Sequence, residues 1–444
     1  MDIKSDLIRA AAFDEAVFER YENIKVSVLR DVKPDSNSLT KSKDLFLSGA
    51  IDNPVLTYSK NIKINYDEPE TLLQNLDLEL RANETLSAII REQYLLVIGE
   101  KLLKIKMLRQ TQSLAIGGNA SAAMESFKKY SDLVYGPIDE DIFCKVIQSV
   151  ERDIQRIVLR GSLDKSKIIS TKRLFQLIDN YKYLHPSYES LVVTPRVIVK
   201  KPDSITDARE LKKIFESGLQ DYGIVDDWKV VIDEKGTRST ISVSYSQQKI
   251  YLPCTEQLSN RSKRKKLTPA RIQGLIAHEI GTHVVRYVNG KQSRLKLLGT
   301  GLYQYEQGEE GLATYREQCA QSLGGYTGLE AYFSIGLAKG LDGGLLRNFA
   351  QVHAILTDYY FVIENTTLRH AKVLAWNRCL RIFRGTSGLV AGVVFTKDLI
   401  YRHGNIRHWE AVKNGTLTTI NIDSGKFDPT NQQHVIFLQK LKDL

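Results

Sequence analysis

The chain has 444 residues, 42% of them hydrophobic and 26% charged, with a formal net charge of +10. That size allows one large hydrophobic core or two ordinary ones, and no stretch approaches the ~20 continuous apolar residues that a bilayer crossing needs. Met-Asp-Ile-Lys-Ser-Asp-Leu at the start lacks the basic opening and apolar run of a secretory signal. Cys144, Cys254, Cys319 and Cys379 lie far apart and form no C-x-x-C pair. Reduced thiols, each read as a small buried side chain, and a cytoplasmic location are expected. The positive balance favours acidic partners. Its densest cluster, Arg261-Ser262-Lys263-Arg264-Lys265-Lys266, reads as a solvated loop. It has no aromatic platform, zinc finger or helix-turn-helix beside it, so nucleic acid is not favoured.

Residues 1–66 form a mixed segment, polar and turn-rich around Lys33 to Thr40. Asp67-Glu68-Pro69-Glu70 is a helix start. Leu72, Leu73, Leu76 and Leu80, then Leu86, Ile89 and Ile90, recur at helical spacing to about Gln110. After the break at Gly117-Gly118, helices are expected over Ser121–Leu133, Ile138–Leu159 and Thr171–Tyr183, so residues 67–190 read as a helical subdomain. Strands then appear. Leu191–Val199 is valine-rich, Trp228–Ile232 is a short apolar run, and Thr240 to Tyr245 alternates strictly, with Lys249–Pro253 following. The alternation puts Ile241, Val243 and Tyr245 on one face. Glu234-Lys235-Gly236 reads as a hairpin turn, and Thr206–Gln220 as a helix. Thr268 caps and Pro269 opens a further helix that should end near Asn289-Gly290. More helices follow over Glu306–Ser322, Leu329–Ala338, Leu345–Glu364 and Leu368–Arg381, then a glycine-rich strand or turn region over Arg384–Phe395.

The helix from Thr268 carries His278-Glu279-Ile280-Gly281-Thr282-His283, an H-E-x-x-x-H element. Imidazole and carboxylate suit Zn²⁺, and a catalytic zinc site keeps one position open. Glu279 is then placed to deprotonate a water acidified by the metal. In a regular helix, residues five apart point about 140° away from each other, and the two imidazoles cannot share an ion. A one-residue bulge between Glu279 and His283, eased by the permissive backbone of Gly281, is therefore expected. A third ligand should come from Tyr305-Glu306-Gln307-Gly308-Glu309-Glu310-Gly311-Leu312-Ala313. Glu309 and Glu310 point about 100° apart on a helix, and spacing leaves the choice between them open. Small Gly311 and Ala313 should let this helix approach the metal helix. His353 reads as a core or surface residue.

His278 to His283 with Arg286, and Glu309-Glu310-Gly311-Leu312-Ala313, resemble the paired signatures of the tyrosine carboxypeptidases that act on microtubules. Their bacterial relatives are the flavohaemoglobin expression-modulating QEGLA-motif proteins. Phe383-Arg384-Gly385, Phe395-Thr396-Lys397-Asp398, Tyr401 and Gly404 look like late motifs of the same family. The resemblance spans roughly residues 70–410. It implies that His278, His283 and Glu310 bind one zinc ion per chain and that Glu279 is the catalytic base. Glu309 stands where many members carry glutamine. The resemblance also implies release of a C-terminal residue from an acidic tail, tyrosine in the tubulin-acting members.

An exopeptidase must grip a terminal carboxylate. Arg384 and Lys397 are the candidates, with Tyr401 as a donor to the developing oxyanion. The strand Ser239–Ser246 can pair with an extended substrate. The fold expected is α+β: predominantly helical and zincin-like, with a small mixed sheet beside the metal helix, and residues 191–444 as the catalytic region. Rival readings are a zinc endopeptidase or dipeptidyl peptidase of the same chemistry, and a zinc-containing regulatory protein without hydrolysis.

Overall fold

The computed structural model describes residues 12–118, 120–161, 163–191, 204–224, 227–260, 266–417 and 420–441. Its longer helices are, in chain order, α1 Glu15–Asn23, α2 Ser36–Ser48, α3 Asp67–Ala82, α4 Ala88–Ala115, α5 Ala120–Tyr135, α6 Glu140–Leu159, α7 Lys165–Leu184 and α8 Ala208–Asp221. Strands β1 Lys229–Asp233, β2 Ser242–Ser244 and β3 Lys249–Pro253 follow. Then come α9 Pro269–His278, α10 Val285–Gln292, α11 Glu306–Ala320, α12 Leu329–Ala338, α13 Phe349–Ile363, α14 Leu368–Phe383, α15 Leu399–Lys413 and α16 Gln432–Leu441. The fold is α+β and mainly helical, with one three-stranded mixed sheet.

The sheet order is β1-β3-β2, with β1 parallel and β2 antiparallel to β3. Glu234-Lys235-Gly236 is therefore a turn but not a hairpin. The chain leaves β1 there, and the hairpin lies between β2 and β3, where Gln248 takes a positive φ of 50°. Ile241, Val243 and Tyr245 share the apolar face, as their alternation requires. They pack with Phe215 and Leu219 of α8 and with Ile272, Ile276, Ile280 and Val284. Those four isoleucine and valine positions recur every fourth residue. They seat the helix carrying the H-E-x-x-x-H element on the sheet, each buried side chain contributing about 1.5–3 kcal/mol.

Two further clusters fill the helical body. One gathers α1, α3, α4 and α5 with Leu295–Leu302 and the end of the chain. The other gathers α6, α7, α12, α13 and α14. Several expectations need correction. Lys33–Thr40 is not simply a turn region, because Ser36 opens α2. Its polar residues lie on a helix with no fully buried position. The expected end at Gly290 is passed, and α10 runs to Gln292. Of the two alternatives held for Arg384–Phe395, strand or turn, the structure has the turn. Cys319 is exposed and only Cys379 is buried, so the small-core reading holds for one of the four thiols. The valine-rich segment lies outside the described residues from 192 onward, as does 261–265 of the basic cluster.

Candidate metal centre

Thr268 caps α9 as its sequence predicts, its hydroxyl accepting from the Arg271 N–H at 3.3 Å. The helix stays regular only to His278, and Glu279–Val284 then form a π-helical turn. The wider turn brings the two imidazoles together, with ring centroids 5.0 Å apart. A π-turn opens the helical hydrogen-bond ladder, and buried backbone groups must then find other partners. Thr282 Oγ1 donates to the Ala277 carbonyl at 3.0 Å. Arg316 Nη1 donates to the Gly281 carbonyl at 2.6 Å. Gly281 has no positive φ. Its glycine is needed for space, since a Cβ there would run into the phenol of Tyr222.

Glu310 comes from the second turn of α11. Its Oε2 lies 3.8 Å from His278 Nε2 and 3.7 Å from His283 Nε2. One ligand atom from each of the three residues falls within 4.8 Å of the other two. Ligands about 2.0–2.2 Å from one tetrahedral ion stand ~3.4 Å apart, so small side-chain shifts would let the three share a cation. Glu310 Oε2 is buried without a hydrogen-bond partner among the described residues. A buried carboxylate oxygen without a hydrogen bond is costly, and a cation between the imidazoles would satisfy it.

The outward nitrogens carry the tautomer. His278 Nδ1 meets Glu317 Oε2 at 3.0 Å, and His283 Nδ1 meets Glu309 Oε1 at 3.0 Å. Each Nε2 is thereby aimed at Glu310, the carboxylate–imidazole pairing that orients metal-bound histidines. Glu309 is thus a support for His283 rather than a third ligand. Its own charge is matched by Arg286 Nη1 and by Lys426 Nζ at 3.3 Å. Burial opposes ionisation of Glu309, but Lys426, Arg286 and His283 overcome it and hold its pKa well below the usual range.

Burial would push both imidazoles down. Glu317, Glu279 and Glu310 reverse this for His278, while Glu310 and Glu309 push His283 up to about 10. Burial, only partly offset by the two histidines, raises the pKa of Glu279. A carboxyl displaced in that direction is suited to taking and returning a proton near neutral pH. Around this point stand four carboxylates and two imidazoles, a collection that draws in a proton or a metal ion.

Tyr401 stands close enough for the charge of Glu310, and then burial, to drive its phenol pKa well above the usual value. Lys397 is held by Glu306, which also takes Lys104 Nζ at 3.1 Å. Arg384 reaches Asp398 at 3.4 Å, and its Nε is buried without a hydrogen-bond partner among the described residues. His353 lies elsewhere, its ring against Phe46 and Phe349 of the second core region, and its Nε2 meets the Lys372 carbonyl at 3.0 Å.

The expected role of Gly311 is also different. It faces Gly404, where a Cβ on either residue would collide with the other helix backbone. The pair sets the close crossing of α11 and α15. Sequence reasoning missed Glu317, although it lies two turns beyond Glu310 on the same helical face. It also missed Arg316 and Lys426, for which no spacing gives a signal.

A comparison with known families decides what this site is similar to. Residues 190–325 match the family model of the microtubule-associated tyrosine carboxypeptidase. The matched segment holds the sheet, the π-turn, Glu309, Glu310 and Glu317, and it agrees with the resemblance carried by the two metal motifs. Lys397, Tyr401 and Lys426 lie beyond it. No match was found to any curated protein or solved structure.

Proposed function

We propose that this chain is a zinc-dependent carboxypeptidase that removes a C-terminal residue from a peptide or protein tail. His278, His283 and Glu310 would hold one zinc ion in a zincin-like arrangement, a helix lying beside a small sheet. The observation that carries this reading is Glu310 Oε2, buried without a hydrogen bond among the described residues and equidistant within 0.1 Å from two Nε2 atoms whose Nδ1 atoms face other carboxylates. Zn²⁺ held there supplies Lewis-acid polarisation of a carbonyl and lowers the pKa of water to about 7.

The protein's own residues do the rest. Glu279 accepts the proton of the attacking water and passes it to the departing amine, a task matched to its raised pKa. Tyr401 offers a phenolic donor beside Glu310, where oxyanion charge would develop. β2 is an edge strand of the sheet and pairs with β3 alone among the described strands, a position that suits an extended chain added by backbone hydrogen bonds. Arg384 keeps an unpaired buried Nε, which favours it over the Glu306-bound Lys397 as the group that grips a terminal carboxylate. The likeness to the microtubule-associated tyrosine carboxypeptidase family supports a carboxypeptidase acting on a peptide or protein. Tyrosine as the released residue and an acidic tail remain part of the proposal.

The test is a panel of peptides differing in their last residue, digested by the zinc-loaded chain and read by mass spectrometry. Loss of one C-terminal residue is expected, and a Glu279→Gln variant should keep zinc while losing about 10²–10⁴-fold in rate. Internal cleavage or dipeptide release would replace the reading with one of its rivals. Undiminished activity in Glu279→Gln would remove the proposed base.

A further inference from the structure

The carboxylate behind His283 is gripped from three sides, and one grip comes from far along the chain. Glu309 Oε1 faces both His283 Nδ1 at 3.0 Å and Lys426 Nζ at 3.3 Å. Oε2 takes Arg286 Nη1. Arg286 is also committed elsewhere, donating through Nε to the Ile422 carbonyl at 2.8 Å and through Nη2 to the Phe427 carbonyl at 2.6 Å. Lys426 belongs to the irregular segment Ile420–Asn431 that precedes α16. Its backbone is pinned on both sides. Its N–H donates to the Leu298 carbonyl at 2.7 Å, and its carbonyl accepts from the Leu302 N–H at 3.0 Å. The ammonium lies 3.8 Å from the centroid of the Tyr245 ring, and only 1% of the residue is exposed.

Lysine is rarely this buried unless its charge is used, and Arg286 alone already matches the charge of Glu309. What Arg286 does not do is reach Oε1, the oxygen that faces the imidazole. We infer that Lys426 is a positioning residue of the metal centre: it fixes Glu309 Oε1 against His283 Nδ1 and so aims His283 Nε2 at the point shared with His278 and Glu310. On this view the segment Ile420–Asn431, outside the family-matched residues, completes a site whose ligands lie more than a hundred residues earlier. The inference rests on the zinc reading given above.

The test uses the full chain, stripped of metal and titrated with Zn²⁺ against a chromogenic chelator. Wild type, Lys426→Met, Glu309→Gln and the double variant are compared, and the metal-free melting temperature of each is recorded. Lys426→Met should weaken zinc binding about 10–100-fold. On the Glu309→Gln background the same change should alter affinity by less than about threefold, because the charge it acts upon is gone. Wild-type affinity in Lys426→Met would overturn the assignment, as would equal losses on both backgrounds, which mark a residue that merely holds the segment in place. If Lys426→Met does not fold, Lys426→Gln takes its place in the same cycle, and failure of both to fold would make Lys426 a folding residue only. A wild type that binds no zinc would overturn the metal reading together with this inference. Zinc-binding wild type with an unaffected lysine variant overturns the inference alone.

Discussion

The two imidazoles of the centre are supported in different ways. His283 leans on Glu309, whose side chain is 4% exposed and which is neutralised by Arg286 and Lys426 from two separate parts of the chain. His278 leans on Glu317, 23% exposed, which belongs to the same helix as Glu310 and has Gln321 Nε2 at 3.2 Å as a helical neighbour. The first support is a buried charge network, in which removing one member strands the others. The second is a local pair near solvent, where water can replace a lost partner. Under the zinc proposal, the deep side would couple metal binding to folding, and the shallow side would tune metal binding with little cost to the fold.

Replacing each support by alanine separates the two sides most strongly. Glu309→Ala should destabilise the metal-free chain by about 3–5 kcal/mol, because Arg286 and Lys426 lose their buried counter-charge. It should also weaken zinc binding toward the upper end of the ~10–100-fold range for such supports. Denaturant unfolding and chelator competition measure the two effects. Glu317→Ala should weaken zinc binding about tenfold and change stability by no more than about 1 kcal/mol. Equal stability losses in the two variants would erase the distinction between the sides.

Proton linkage sharpens the comparison. With its pKa at about 10, the His283 imidazole holds a proton at pH 7 in the metal-free chain, and a ligand imidazole must be neutral. Zinc binding at pH 7 should therefore release about one proton from this side, and affinity should rise with pH. Calorimetry in buffers of different ionisation enthalpy measures the release. A folded-state pKa above the unfolded value of about 6.5 means that protonated His283 stabilises the metal-free fold. That contribution is complete below pH ~6.5 and is lost as pH rises through about 10. Glu309 has the opposite sign. Its depressed pKa gives stability that is present above the unfolded value of about 4.3 and fades only in strong acid.

A purely steric effect, with no change of charge, lies in the π-turn between the two sides. Gly281→Ala should cost about 1–2 kcal/mol, since the new methyl group must displace the end of a half-exposed tyrosine. A thermal-melt comparison in the Tyr222→Ala background should recover most of that loss.

Much of this was legible in the sequence because it is local. Leucine spacing marks α3 and α4, Thr268-Pro269 marks the start of α9, and the five-residue histidine spacing demands a widened turn. What was not legible is non-local. β1 pairs in parallel with β3 across the strand between them, so chain order misleads about the hairpin. α15 escaped notice because its buried face interleaves Arg402, Gly404, Asn405 and His408 with Leu399, Ile400 and Ile406, which breaks up the apolar stripe. Spacing could not separate Glu309 from Glu310, because a carboxylate's role depends on what lies behind it. Here Arg286 and Lys426 lie behind it, and the lysine arrives 117 positions later in the numbering.

The most direct measurement is zinc K-edge X-ray absorption on the purified full chain, with metal content determined on the same sample and on Glu310→Gln. One zinc per chain is expected, with two imidazole nitrogens at about 2.0–2.1 Å and a carboxylate oxygen at about 2.0–2.2 Å. That oxygen should be missing, or the metal weakly held, in Glu310→Gln. A chain without stoichiometric zinc, or zinc bound through sulfur or through a single imidazole, would contradict the shared site of His278, His283 and Glu310.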